Sequence, residues 1–120
     1  MNIADEKTWL ENGMLKGRKV TRCQRKTKAY KSVAHDLTYA NFQNGLHGSY
    51  EASAARLRGV YRGEDAAGSV YAVLLTGHSC ASHVAMMVLN TLTESTTYEV
   101  LSFRYDGDWN WTAVILAEVK

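Results

Sequence analysis

Apolar and polar positions along the chain change their spacing repeatedly, and each change marks an element. Residues 1–16 hold no sustained period, which predicts a weakly ordered lead-in where Trp9 and Leu10 tack onto another part of the fold. Lys19–Cys23 alternates as a short first strand. Steps of three and four then link Tyr30, Val33, Ala34, Leu37 and Asn41, predicting a helix over residues 28–42 with Thr27 as its cap and Gly45 as its stop. From Leu46 to Arg62 the period becomes strand-like, with Arg56, Arg58 and Arg62 alternating with Leu57, Gly59 and Tyr61. A loop of small and acidic residues, 63–68, leads to the apolar run Val70–Leu75, short enough for a buried strand. A second helix is predicted from Ser79 to Glu94, with Ala81, Val84, Ala85, Val88 and Leu92 on one face. Tyr98–Tyr105 and Thr112–Val119 are the closing strands, joined through the hairpin dipeptide Asp106-Gly107.

This order, β-α-β-β-α-β with one extra C-terminal strand, predicts an α+β domain of the ferredoxin-like, split βαβ kind with both helices on one sheet face. Apolar residues on both sides of 70–75 and 112–119 predict that the opposite face is covered by a partner, hence an oligomer. No proline, repeat or low-complexity stretch interrupts the chain, so residues 17–120 are expected as a single domain.

Composition narrows the class. With 120 residues, 46% hydrophobic and 22% charged, the chain can bury roughly two-thirds of its unfolded surface without a staple. No apolar run approaches the roughly 20 residues of a membrane helix, and Met1–Glu6 lacks a signal peptide's basic start and apolar centre, which predicts a cytoplasmic protein. Two cysteines, Cys23 and Cys80, do not make a disulfide framework. The net charge of +2 hides an asymmetry: residues 1–62 hold 12 Lys and Arg against 5 Asp and Glu, and residues 63–120 hold 2 against 7. Lys16, Arg18, Lys19, Arg22, Arg25, Lys26, Lys28 and Lys31 form an acid-free run that suits a phosphate backbone, an acidic neighbour or plain solvent. Only Tyr30 accompanies it, so the interleaved stacking residues of a single-strand binder are missing and nucleic acid is not the expected partner.

Several constellations have bland explanations. His78, Cys80 and His83 lack the fourth ligand of a structural zinc site, and no metal is expected. Asp106-Gly107-Asp108 is a hairpin turn better than a calcium loop. Met86-Met87 fits a helix core. Phosphate-loop, dinucleotide and nucleophile motifs are missing, which predicts an activity without cofactor. The segment that core packing does not explain is Gly45-Leu46-His47-Gly48-Ser49-Tyr50-Glu51, followed by Gly59-Val60-Tyr61-Arg62: glycines allow close backbone approach, and a hydroxyl, an aromatic and a carboxylate follow in succession.

At these residues the chain resembles the S-adenosylmethionine hydrolases of coliphages, better described as S-adenosylmethionine lyases. Gly48-Ser49-Tyr50-Glu51 matches a Gly-Ser-x-Glu element of the family and Gly59-Val60-Tyr61-Arg62 a Gly-x-Tyr-Arg element downstream; the likeness covers about residues 18–119. The spacing from Glu51 to Gly59 is a couple of residues longer than in the coliphage relative. Glu64-Asp65 stands where that relative has paired glutamates. The basic run has no counterpart.

The resemblance implies a PII-like homotrimer with S-adenosylmethionine bound between subunits. It also implies cleavage to 5'-methylthioadenosine and L-homoserine lactone, an anti-restriction activity in the cytoplasm of an infected bacterium. Glu51 is the expected catalytic residue, holding the substrate ammonium or ribose. Gly48, Ser49, Tyr50, Tyr61 and Arg62 are expected to bind substrate, an aromatic facing the sulfonium and Arg62 its carboxylate. The alternatives are true hydrolysis to homoserine with Glu51 as general base, a PII-like sensor that binds without turnover, and a nucleic-acid or protein-binding module using residues 16–31.

Overall fold

The computed structural model describes residues 10–15, 18–45, 54–63, 70–78, 82–94, 98–106 and 110–118. They form strands β1 (Met14–Leu15) and β2 (Arg18–Arg22), helix α1 (Lys28–Gln43), strands β3 (Arg56–Gly63) and β4 (Val70–His78), helix α2 (Ser82–Thr93), and strands β5 (Tyr98–Asp106) and β6 (Asn110–Glu118). The described strands make one sheet in the order β1-β2-β3-β4-β6-β5, with every neighbouring pair antiparallel.

The protein is α+β, and the predicted elements occur in the predicted order with β1 added in front. Their pairing is the new information. β4, α2 and β5 form a split βαβ unit, because β6 lies between β4 and β5 and antiparallel to both. β2, α1 and β3 do not: β2 lies directly beside β3, antiparallel to it, outside the sheet centre. Where the ferredoxin-like arrangement interleaves two split units, this sheet contains one. The charge on β2 explains its place. Lys19 and Arg22 are exposed, whereas the central strands β4 and β6 are apolar on both faces.

Helix α1 begins where its sequence says. Thr27 sits in extended backbone and its Oγ1 accepts a hydrogen bond from the Tyr30 N–H at 3.3 Å, satisfying one of the first-turn donors. Ala29, Val33, Leu37, Ala40 and Asn41 form its buried stripe. Gly45 closes it at φ +74°, a left-handed conformation that costs a glycine little. Asn44 ties the two helices together, its side-chain amide donating to the Ala40 carbonyl at 2.7 Å and to Thr91 Oγ1 at 3.0 Å.

The core has two layers. Under the helices, Val33, Leu37, Val88, Leu89 and Leu92 pack on Val60, Val73, Leu75, Trp111, Ala113 and Ile115. On the other face Tyr61, Ala72, Leu74 and Val114 are buried as well, and the residue over them is Leu10, only 1% exposed. The apolar centre of the helix-free face is thus covered by Leu10 of the chain's own lead-in. Burying one leucine in this way contributes about 2 kcal/mol. The two methionines of α2 correct another expectation: Val88, Leu89 and Leu92 take the inward positions, and Met86 and Met87 are each 46% exposed.

Strand β3 contains a bulge. Leu57 pairs with Leu75 and Gly59 with Leu74, so Arg58 is the extra residue between them. Without it the alternation would continue unbroken and place Arg56, Arg58 and Arg62 on one face. With it, Leu57 and Val60 both reach the helix-side core, while Tyr61 joins the opposite layer and Arg62 returns to the helix side.

Candidate functional site

Of the residues singled out for chemistry, Gly48, Ser49, Tyr50 and Glu51 lie outside the described residues, as do Glu64 and Asp65. The flanks of their segment are well placed. At its start stand Asn44 and Gly45, fixed by the bonds that end α1. At its end, Ala55 is clamped by Asn41 of α1: the Ala55 N–H donates to Asn41 Oδ1 at 2.9 Å, and Asn41 Nδ2 donates to the Ala55 carbonyl at 3.0 Å. A buried side-chain amide here does what a neighbouring strand would do for one residue. Asn41 was visible in the sequence as a member of the helical stripe, but its polarity was the signal that it served a backbone and not the core.

Tyr61 and Arg62, the two members of the second motif, are consecutive in β3 and therefore face opposite sides of the sheet. Tyr61 is 3% exposed. Its ring lies over Gly59, where an added Cβ would stand 2.8 Å from the ring carbon Cε1, so the Gly-x-Tyr spacing has a packing cause. The guanidinium of Arg22 sits 5.9 Å from the ring centroid. Leu10, Glu11, Gly13, Val20, Arg22 and Tyr61 line a cleft of about 260 Å³ on this helix-free side. Arg62 is exposed on the other side, close enough to act on Cys23. Burial pushes the Cys23 thiol above its ordinary value and the Arg62 charge pulls it the other way, the burial being the larger influence. A thiol held protonated is a poor nucleophile, which fits a structural role for Cys23.

A second cleft, of about 280 Å³, lies at the other end of the same strands and is lined by Arg56, Arg58, Thr76, Gly77, His78 and Asn110. Register brings these residues together: Arg56 pairs with Thr76 and His78 with Asn110 across β3, β4 and β6. Arg58 Nε donates to Thr76 Oγ1 at 2.7 Å, which fixes the plane of its guanidinium. The Arg58 carbonyl, beyond the last β2–β3 pair, accepts from Arg22 Nη2 at 2.7 Å. In sequence the alternating arginines suggested a strand edge; Thr76 and Asn110 carried no signal, because only strand pairing makes them neighbours.

The basic run is a surface. Lys19, Arg22, Arg25, Lys26, Lys28 and Lys31 are all exposed along β2, the turn after it and the first two turns of α1. Among the described residues no group of three His, Cys, Asp or Glu side chains is arranged to hold a metal ion. His78 is exposed at the end of β4, while Cys80 and the side chain of His83 are outside the described residues. Among the described residues no helix is long and apolar enough to cross a membrane. No protein-family model, no curated protein and no solved structure matches this chain.

Proposed function

We propose that the protein cleaves S-adenosylmethionine to 5'-methylthioadenosine and L-homoserine lactone. The observation that carries the reading is the pair of motifs Gly48-Ser49-Tyr50-Glu51 and Gly59-Val60-Tyr61-Arg62. It is supported by the cleft that Tyr61 lines with Arg22 and Glu11 and by the fixed flanks, Gly45 and Ala55, of the segment bearing Glu51. In an infected bacterium this activity would deplete the methyl donor of restriction and modification systems.

The substrate brings its own nucleophile and leaving group. An oxygen of the methionine carboxylate attacks the γ-carbon, the C–O bond forms as the C–S bond breaks, and the bonding pair leaves with sulfur. The negative carboxylate and positive sulfonium cancel, and no proton has to move. The protein's part is to hold the chain folded back and to exclude water. Glu51 binds the ammonium or ribose hydroxyls, with Gly48 and Ser49 beside it, and Tyr50 or Tyr61 faces the sulfonium. Arg62, on the opposite side of the sheet from Tyr61, reaches the same substrate only from a neighbouring subunit. That requirement agrees with a PII-like trimer carrying its sites between chains.

The test is incubation of the purified protein with S-adenosylmethionine in labelled water, with products resolved by mass spectrometry at early times. Methylthioadenosine with unlabelled homoserine lactone, formed before homoserine, is the expected result, and Glu51→Gln should lower the rate on the order of 100-fold. Labelled homoserine from the start would replace lyase by hydrolase. Tightly bound, intact substrate would replace enzyme by sensor.

A second reading is favoured by the exposed cations of β2 and α1: a module that binds a nucleic-acid backbone. It predicts duplex binding that weakens steeply with salt and is abolished by charge reversal at Lys19, Arg25 and Lys26. The lyase reading predicts turnover indifferent to those three changes.

A further inference from the structure

The cleft at the far end of β3 has a composition that asks for an anion. Arg56 and Arg58 bring two guanidinium cations, Thr76 and Asn110 bring short polar side chains, and no carboxylate is among the described lining residues. The arrangement is built by the fold. Alternation along β3 and its pairing with β4 put Arg56, Arg58 and Thr76 on the helix-free side, and the bulge at Arg58 lets Val60 turn into the core that Leu57 also reaches. One arginine is also held in place from two directions: Thr76 fixes its Nε, leaving its two terminal nitrogens as a fork, and Arg22 fixes its carbonyl. A guanidinium fixed before binding loses little freedom when a ligand arrives.

Size narrows the ligand. A volume of about 280 Å³ takes a tetrahedral or planar oxyanion with the atoms next to it. It lies below the roughly 300–1,000 Å³ usual for sites that bury a drug-sized molecule. Arginine forks match phosphate and carboxylate oxygens in pairs, and bulges recur where a strand aims side chains at a site.

We propose that this cleft binds the oxyanion group of a small ligand, a phosphate or a carboxylate, between Arg56 and Arg58. The proposal does not rest on the lyase reading, because none of the described residues lining the cleft belongs to the two motifs.

The test is a titration of the full chain with inorganic phosphate, and separately with acetate, at ionic strength held constant with sodium chloride. The readout is the amide signals of Gly77, His78 and Asn110 and the arginine Nε signals in nitrogen-15 spectra. The expected result is saturable shifts confined to those residues with at least one of the two anions, weakened tenfold or more in Arg58→Gln. Whichever anion binds more tightly identifies the group carried by the natural ligand. Arg56→Gln, a change at an exposed side chain, gives the same weakening without touching the Thr76 bond and keeps the test decisive if Arg58→Gln fails to fold. Shifts that do not saturate, that spread along Lys19–Lys31, or that persist unchanged in Arg56→Gln would overturn the proposal.

Discussion

The two sides of the sheet are held together by different forces. β4 and β6 bury apolar residues on both faces, Val73, Leu75, Ala113 and Ile115 toward the helices and Ala72, Leu74 and Val114 away from them. β2 and β3 leave Lys19, Arg22, Arg56, Arg58 and Arg62 in solvent, and beside their backbone ladders and the buried Val60 and Tyr61 they carry single side-chain bonds: Arg22 to the Arg58 carbonyl, Arg58 to Thr76, and Asn41 to Ala55. Apolar burial is non-directional and roughly proportional to area, so it degrades gradually. A buried hydrogen bond is lost whole when one atom goes, and the stranded partner adds its own cost. The first candidate cleft lies along the polar side and the second where that side meets the ends of β4 and β6, places where side chains remain available for a ligand because they are not consumed by packing.

The comparison is most severely tested at Asn41. Replacing it by alanine strands both the N–H and the carbonyl of Ala55, and at about 1–3 kcal/mol for each buried unsatisfied group the loss should be about 2–6 kcal/mol. The damage should be local. Hydrogen exchange should speed up at the start of β3 and the end of α1 before it does in β4 or β6, and uniform acceleration would show that the two sides are not separately held.

Gly77→Ala tests the apolar side. An added Cβ meets the indole of Trp111, which is fully buried and stacked on Phe103 with centroids 5.5 Å apart, so the ring has nowhere to go. Overpacking of this kind costs about 2 kcal/mol and should lower the denaturation midpoint of the whole domain. Gly59→Ala meets only the outer edge of the Tyr61 ring, beside an open cleft, and should cost less, about 1 kcal/mol. Equal losses at the two glycines would remove the contrast in rigidity between the two sides.

The same division decides what was legible in the sequence. Helix α1, its Thr27 cap and its Gly45 stop follow from spacing and local chemistry, and so does β4, whose apolar run needs no partner to be recognised. The place of β2 does not follow: a strand reveals its period but not its neighbour, and pairing with β3 satisfies its period as well as pairing at the sheet centre would. The bulge at Arg58 is invisible for a related reason. A single extra residue leaves Arg56, Arg58 and Arg62 looking like one face until the ladder shows that Arg62 has changed sides. Leu10 was identified as a residue that tacks down, and the surface beneath it, Tyr61, Ala72, Leu74 and Val114, came only with the fold. Of the candidate site, Tyr61 and Arg62 were named and their opposite orientations were not. The second cleft depends on cross-strand neighbours that no linear pattern encodes.

The smallest predicted effect is at the seam between the two sides, where Tyr98 of β5 donates its hydroxyl to Asp36 Oδ2 of α1 at 2.8 Å. Tyr98→Phe removes one partly buried bond to a charged acceptor and should cost about 1 kcal/mol at neutral pH. Its clearer signature is in alkali. Burial first, then the hydrogen bond to Asp36 and the Asp36 charge, push the Tyr98 phenol above its ordinary value of 10.0, so the folded protein holds this proton more tightly than the unfolded chain does. The contribution is therefore complete below the unfolded value and fades as pH rises past it, because the unfolded chain loses the proton first and is favoured by losing it. Urea midpoints followed from neutral pH to above the ordinary tyrosine value should fall more steeply in the native protein than in Tyr98→Phe. The difference between the two curves cancels the remaining tyrosines and lysines, which titrate in both. Parallel curves would mean that the hydroxyl is free to ionise in the folded state, and that α1 and β5 are joined by apolar contact alone.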